Sequence, residues 1–96
     1  MNPAKVKRAQ VHRLQDLPNV GPAVARDLEL IGILRPEQLV GADPLHLYQR
    51  LCRQRGIRQD PCVLDTFISL TRFMGGEEAR PWWAYTAERK RRYGSV

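Results

Sequence analysis

The chain has 96 residues, too few for two independent cores, with 43% apolar side chains and a formal net charge of +6. Such an apolar fraction belongs to a folded protein rather than a disordered one, and no run reaches the roughly 18 consecutive apolar residues of a membrane helix. The polar, basic start has no apolar stretch behind it, which argues against a secretory signal, so the expected location is the cytoplasm.

Residues 1–8 read as a basic arm, followed by a short helix from about Ala9 to Asp16 with Val11 and Leu14 on one side. The run Leu17-Pro18-Asn19-Val20-Gly21-Pro22 breaks that helix, because two prolines around Asn and Gly are strong turn punctuation. Pro22 suits a first helical position, Val24, Ala25, Leu28 and Ile31 recur at helical spacing, and Gly32 is a natural C-terminal cap. Pro36 opens a short helix that Gly41 ends. Asp43-Pro44 opens the next, with Leu47, Tyr48, Leu51 and Cys52 on one face and Gly56 as its stop. Asp60-Pro61 repeats the opening signal, and Val63, Leu64, Phe67, Ile68, Thr71 and Met74 form the strongest helical stripe in the chain, closed by Gly75-Gly76. Pro81 to Tyr85 is aromatic-rich and fits one more turn, and the residues from Lys90 on read as a tail. No useful segment alternates with period two. The expectation is an all-α, SAM-like bundle of five to six short helices: a helical domain over 9–88, a helix-hairpin-helix at 14–32, and basic ends at 1–8 and 89–96.

The charge makes nucleic acid the first partner to suspect. Its distribution is uneven. Lys5, Lys7, Arg8 and Arg13 stand at one end and Arg89, Lys90, Arg91 and Arg92 at the other, whereas between Leu14 and Glu88 eight arginines face ten acids. These end clusters are candidate DNA contacts or merely solubilising ends.

The hairpin is the main candidate site. A tight turn before a helix leaves the first amides of that helix unpaired, and the helix dipole adds partial positive charge, so a phosphate oxygen is favoured there. The residues concerned are Asn19, Val20, Gly21 and Ala23, with Arg26 one turn further on. The run from Leu17 to Ala25, with Leu28 and Gly32-Ile33, resembles the helix-hairpin-helix motif of DNA-repair and recombination proteins. In that motif two glycines flank a hydrophobic residue, a cation often follows, and an Ala packs the two helices. Here Asn19 stands for the first glycine, which Asn's tolerance of left-handed geometry permits. Val20, Gly21 and Ala25 match, and Ala23 or Val24 occupies the place of the cation. Over about Leu14 to Arg91, the hairpin, Leu51-Cys52, Asp60-Pro61-Cys62-Val63, Phe73-Met74 and Pro81-Trp82-Trp83 resemble a small bacterial family named after a pathogenicity locus. The first half is also similar to the C-terminal domain of TfoX-like competence regulators. These resemblances imply a helical fold with a helix-hairpin-helix and carry over no biochemical activity.

His46, Arg50 and Arg53 share one helix face, which suits either an extended phosphate-binding surface or a solvated face. Trp82 and Trp83 suit a lid on the core, a partner-binding anchor or a platform for an unstacked base. Two adjacent Trp cannot both point inward from a regular helix, so one is expected to be exposed. Cys52 and Cys62 are too few for a disulfide scaffold, and with His12 and His46 they fit no zinc spacing. With no phosphate loop, His-Glu metal motif or nucleophile elbow, the reading is no enzyme, no cofactor, no metal and no small-molecule substrate. Two functions follow as expectations: non-specific DNA binding through backbone phosphates, or a protein-interaction module using the Trp82/Trp83 region.

Overall fold

The structure, a computed structural model, describes residues 5–94. Residues 1–4 of the expected arm and 95–96 of the expected tail lie outside the described residues. Among the described residues the chain is all-helical, without strands. The α-helices are α1 (Pro22–Leu30), α2 (Pro44–Arg55), α3 (Pro61–Met74) and α4 (Thr86–Tyr93). Single 3-10 turns stand at Arg8–Gln10, Leu14–Asp16, Pro36–Leu39 and Trp82–Tyr85. None of the helices is long and apolar enough to cross a membrane.

The helix starts follow from the sequence. The Asp43 carboxylate accepts from the Leu45 amide at 3.0 Å and Asp60 from the Cys62 amide at 2.9 Å, while proline opens each of α1, α2 and α3. Gly56 ends α2 at φ +69°, a left-handed conformation that glycine adopts without a Cβ clash.

Helix α3 is the hub. Every residue from Leu64 to Leu70 is buried, so the helix is enclosed on all sides rather than along one stripe. It packs against α2, α4 and the turns at 36–39 and 82–85. Leu17, Val20, Leu28, Leu39 and Leu51 are fully enclosed, as are Leu64, Phe67 and Leu70 of α3 itself, each burial contributing about 1.5–3 kcal/mol. Its polar residues bond internally or to distant segments. Asp65 accepts from Thr86 Oγ1 at 2.7 Å and Arg89 Nε at 2.8 Å, and Ser69 Oγ donates to the Thr66 carbonyl at 2.6 Å.

Among the described residues the α-helices number four rather than the expected five to six, the rest being 3-10 turns, and two segments differ from expectation. Ala9 to Asp16 does not form one helix; it is split into two 3-10 turns. The Asp16 carboxylate accepts from the Arg13 and His12 amides at 2.8 and 3.0 Å, which starts a fresh turn at Leu14. Those same bonds, Arg13's first, hold the Asp16 carboxyl below the usual range. Upstream, Arg8 is pulled onto the end of α3, its guanidinium 4.0 Å over the Phe73 ring and donating to the Glu77 carbonyl at 2.6 Å. The second difference is at Lys90–Tyr93, which is helical as part of α4. Glu88 fastens α4 by accepting from Arg72 and from Arg92.

Candidate nucleic-acid interface

The turn before α1 is pinned from inside. Asn19 sits at φ +66°, a left-handed conformation that Asn tolerates. Its Nδ2 donates to Ser69 Oγ at 3.1 Å and to the Arg80 carbonyl at 2.8 Å. Leu17, Pro18 and Val20 are buried. Asn19 and Val20 therefore position the turn from within, and the exposed part is Pro22, Ala23 and Arg26 with half-buried Gly21.

Gly21 is the N-cap of α1, extended at φ −97° and ψ −171°, and its carbonyl accepts from the Ala25 amide at 3.0 Å. No side chain caps the helix, and its first turn holds no acid. The contrast with α2 and α3, which both begin on a capping aspartate, is chemical: the start of α1 offers donors and partial positive charge to solvent. A Cβ at Gly21 would meet nothing within 4 Å, so neither backbone angle nor crowding demands glycine there.

Arg80 is exposed, and its own carbonyl is the one held by Asn19, so a residue 61 positions away stands at the turn. No local pattern announces it; the signal lay in Asn19, whose amide needed a partner.

Trp82 stands beside the same turn. Trp82 is half-buried and lines a cavity of about 250 Å³ with Asn19, Val24, Asp27 and Cys62. Trp83 is 63% exposed, its ring perpendicular to that of Trp82 (86°) with centroids 5.6 Å apart. One indole faces in and one out, as adjacent positions dictate. Asp27 is an acid close by, and Arg55 holds it at 2.5 Å.

The basic ends divide. Arg89 is committed to Asp65, Arg8 to the end of α3, and Arg92 to Glu88 at 3.1 Å. Lys5, Lys7, Arg13, Lys90 and Arg91 are exposed, with Arg13 only 3.9 Å from Asp16. On α2, His46, Arg50 and Arg53 are exposed. Arg50 and Arg53 line a hollow with Leu30 and Ile31 at the C-terminal end of α1, where cations complement the negative end of the helix dipole. The two cysteines are free thiols. Burial, and then Asp60, pushes the Cys62 thiol up to about 11, so it is a poor nucleophile at neutral pH. Among the described residues no group of three or more His, Cys, Asp or Glu could hold a metal ion.

A family model described as Cdd1, pathogenicity locus, matches residues 7–91. The chain belongs to this family. The Cdd1 match spans the hairpin, the α3 hub and the Trp82-Trp83 turn alike. Among curated proteins, the chain is 51% identical over 78 residues to the mitomycin resistance protein McrB of Streptomyces lavendulae, covering 81% of this chain and 74% of that one. No solved structure matches it.

Proposed function

We propose that this Cdd1-family chain is a binding protein, not an enzyme, that holds DNA through backbone phosphates without reading sequence. In this reading, residues 14–32 act as a helix-hairpin-helix whose first helix is reduced to one turn. The observation that carries it is the open start of α1: uncapped, free of acids in its first turn and pinned by Asn19, with Arg26 exposed one turn on and the exposed Arg80 tied to the turn through its backbone carbonyl. The amides of Gly21 and Ala23 donate to a phosphate oxygen, and Arg26 and Arg80 supply the charge. Lys5, Lys7, Arg13, Lys90 and Arg91 add longer-range attraction.

Fluorescence anisotropy with a labelled duplex tests this. Binding is expected at about 50 mM salt and should weaken steeply toward 200 mM, with little dependence on sequence. Gly21→Asp places a carboxylate over the amides in open space, so folding is retained and binding is lost. Absence of binding at low salt overturns the reading. The named relative suggests a cellular version: expression of this chain raises the mitomycin concentration a sensitive host tolerates, and Gly21→Asp removes that protection.

The exposure of Trp83 favours a second reading, a protein-interaction module centred on the Trp82/Trp83 turn. It expects Trp83→Ala to abolish partner binding and Gly21→Asp to leave it intact.

A further inference from the structure

Trp83, 63% exposed, is the largest apolar side chain exposed among the described residues. Its surroundings distinguish between kinds of cover. Protein partners are marked by contiguous apolar patches. The other large apolar side chains exposed among the described residues, Leu30, Leu34, Val40 and Ile57, lie on other segments. Leu34 lines a hollow with Arg13 and Glu29, and Ile57 a groove with Leu45 and Arg53. Trp83 instead has Trp82 as its ring partner and stands three residues from the exposed Arg80. Arg80 precedes it by three residues, at most about 10 Å of extended chain. Glu77, an acid on the same loop, is turned to Arg72 at 3.5 Å. The ring is also braced: Trp82 meets it edge to face and is itself half-buried beside Asn19 and Val24. An exposed indole braced on Trp82, on the segment that Asn19 ties to the uncapped start of α1, has the layout of a stacking platform, where a base lies on an aromatic face while its strand follows positive charge.

We infer that Trp83 stacks on an unpaired base of a strand whose phosphate is held at the α1 hairpin, making single-stranded DNA the preferred form. The inference rests on the DNA reading above but is carried by Trp83 rather than by the helix start. Duplex bases are already stacked on one another and present no face to the indole, so duplex binding uses the phosphate contacts alone.

The test compares an oligothymidylate of about 12 nucleotides, within the site sizes of small single-strand binders, with a blunt mixed-sequence duplex of equal length. The wild-type chain should bind the single strand more tightly, and its tryptophan fluorescence should be quenched on binding. Trp83→Ala lowers single-strand affinity about tenfold, to the level of the duplex, and leaves duplex affinity unchanged. Trp83→Phe keeps most of the preference while losing most of the quenching. Gly21→Asp weakens both ligands. Because Trp83 is exposed, an unchanged thermal midpoint is expected for both Trp83 variants. Equal binding of single strand and duplex, or a Trp83→Ala variant that keeps the wild-type single-strand affinity, overturns the stacking role while leaving phosphate binding standing. Binding of neither ligand overturns both. An oligouridylate control separates the two kinds of strand: tighter binding to it than to oligothymidylate overturns the assignment to DNA.

Discussion

Arg89 Nε lies 2.8 Å from Asp65 Oδ1 in a pair whose side chains are 11% and 0% exposed, while Thr86 Oγ1 donates to the other carboxylate oxygen at 2.7 Å. This relationship reassigns a residue that composition alone places among DNA contacts. A carboxylate inside the hub helix is tolerable only because two donors from one turn of α4 reach it.

Arg89→Ala should therefore destabilise the fold by about 3–5 kcal/mol, since it leaves a buried charge without its partner. Urea denaturation measures this. The double variant Asp65→Ala/Arg89→Ala should lose clearly less than the sum of the two single changes. Strict additivity would show that the pair is not coupled.

Asn19 performs two tasks that one substitution separates. Asn19→Gly keeps the positive φ but removes the amide that holds Ser69 and the Arg80 carbonyl, and should cost about 1–2 kcal/mol. Trp83 fluorescence should broaden or shift in this variant as the 80–83 segment loses its anchor. An unchanged spectrum and midpoint would show that the segment is held by Trp82 alone.

The basic ends should separate by type of effect. Lys90→Gln and Arg91→Gln each lower the slope of log affinity against log salt by up to about 1 and leave the unfolding midpoint unchanged. Arg8→Gln does the reverse, because its guanidinium lies on Phe73 and the Glu77 carbonyl. A change in salt slope with Arg8→Gln would show that this side chain exchanges its place on α3 for phosphate.

Glu88 gives the fold an acid dependence. Burial opposes its ionisation, but Arg92 and Arg72 overcome that and hold its carboxyl below the usual range. A lowered folded-state pKa contributes stability above the unfolded value of about 4.3, and that stability is lost as pH falls through the folded one. Glu88→Gln should thus lower the thermal midpoint at about pH 7, with the gap from wild type closing as pH falls below the unfolded value. A gap independent of pH would attribute the loss to packing.

What the sequence disclosed and what it concealed divide by distance along the chain. Asp43-Pro44 and Asp60-Pro61 announce helix starts because a cap reaches only two or three residues. The left-handed Asn19 and the in-and-out tryptophans are local consequences of the same sort. The unbroken burial of α3 was not legible, because the partners of its polar residues are 24 residues away for Asp65 and 50 for Ser69. Ala9 to Asp16 has a fair helical pattern, yet Asp16 capping its own turn and Arg8 reaching α3 override it. Arg80 at the hairpin and Arg89 in the interior were hidden for the same reason: side-chain type gives charge, and only the fold gives address.

The Asp65–Arg89 pair also sets an order of events during synthesis. Asp65 leaves the ribosome 24 residues before the guanidinium that neutralises it, and 21 before the Thr86 hydroxyl. Until α4 has emerged, enclosing α3 would bury a lone carboxylate, so the nascent chain has reason to remain open. Any fragment ending before Thr86 inherits that vacancy permanently. Consolidation of this fold is consequently tied to the arrival of α4 rather than to the completion of α3.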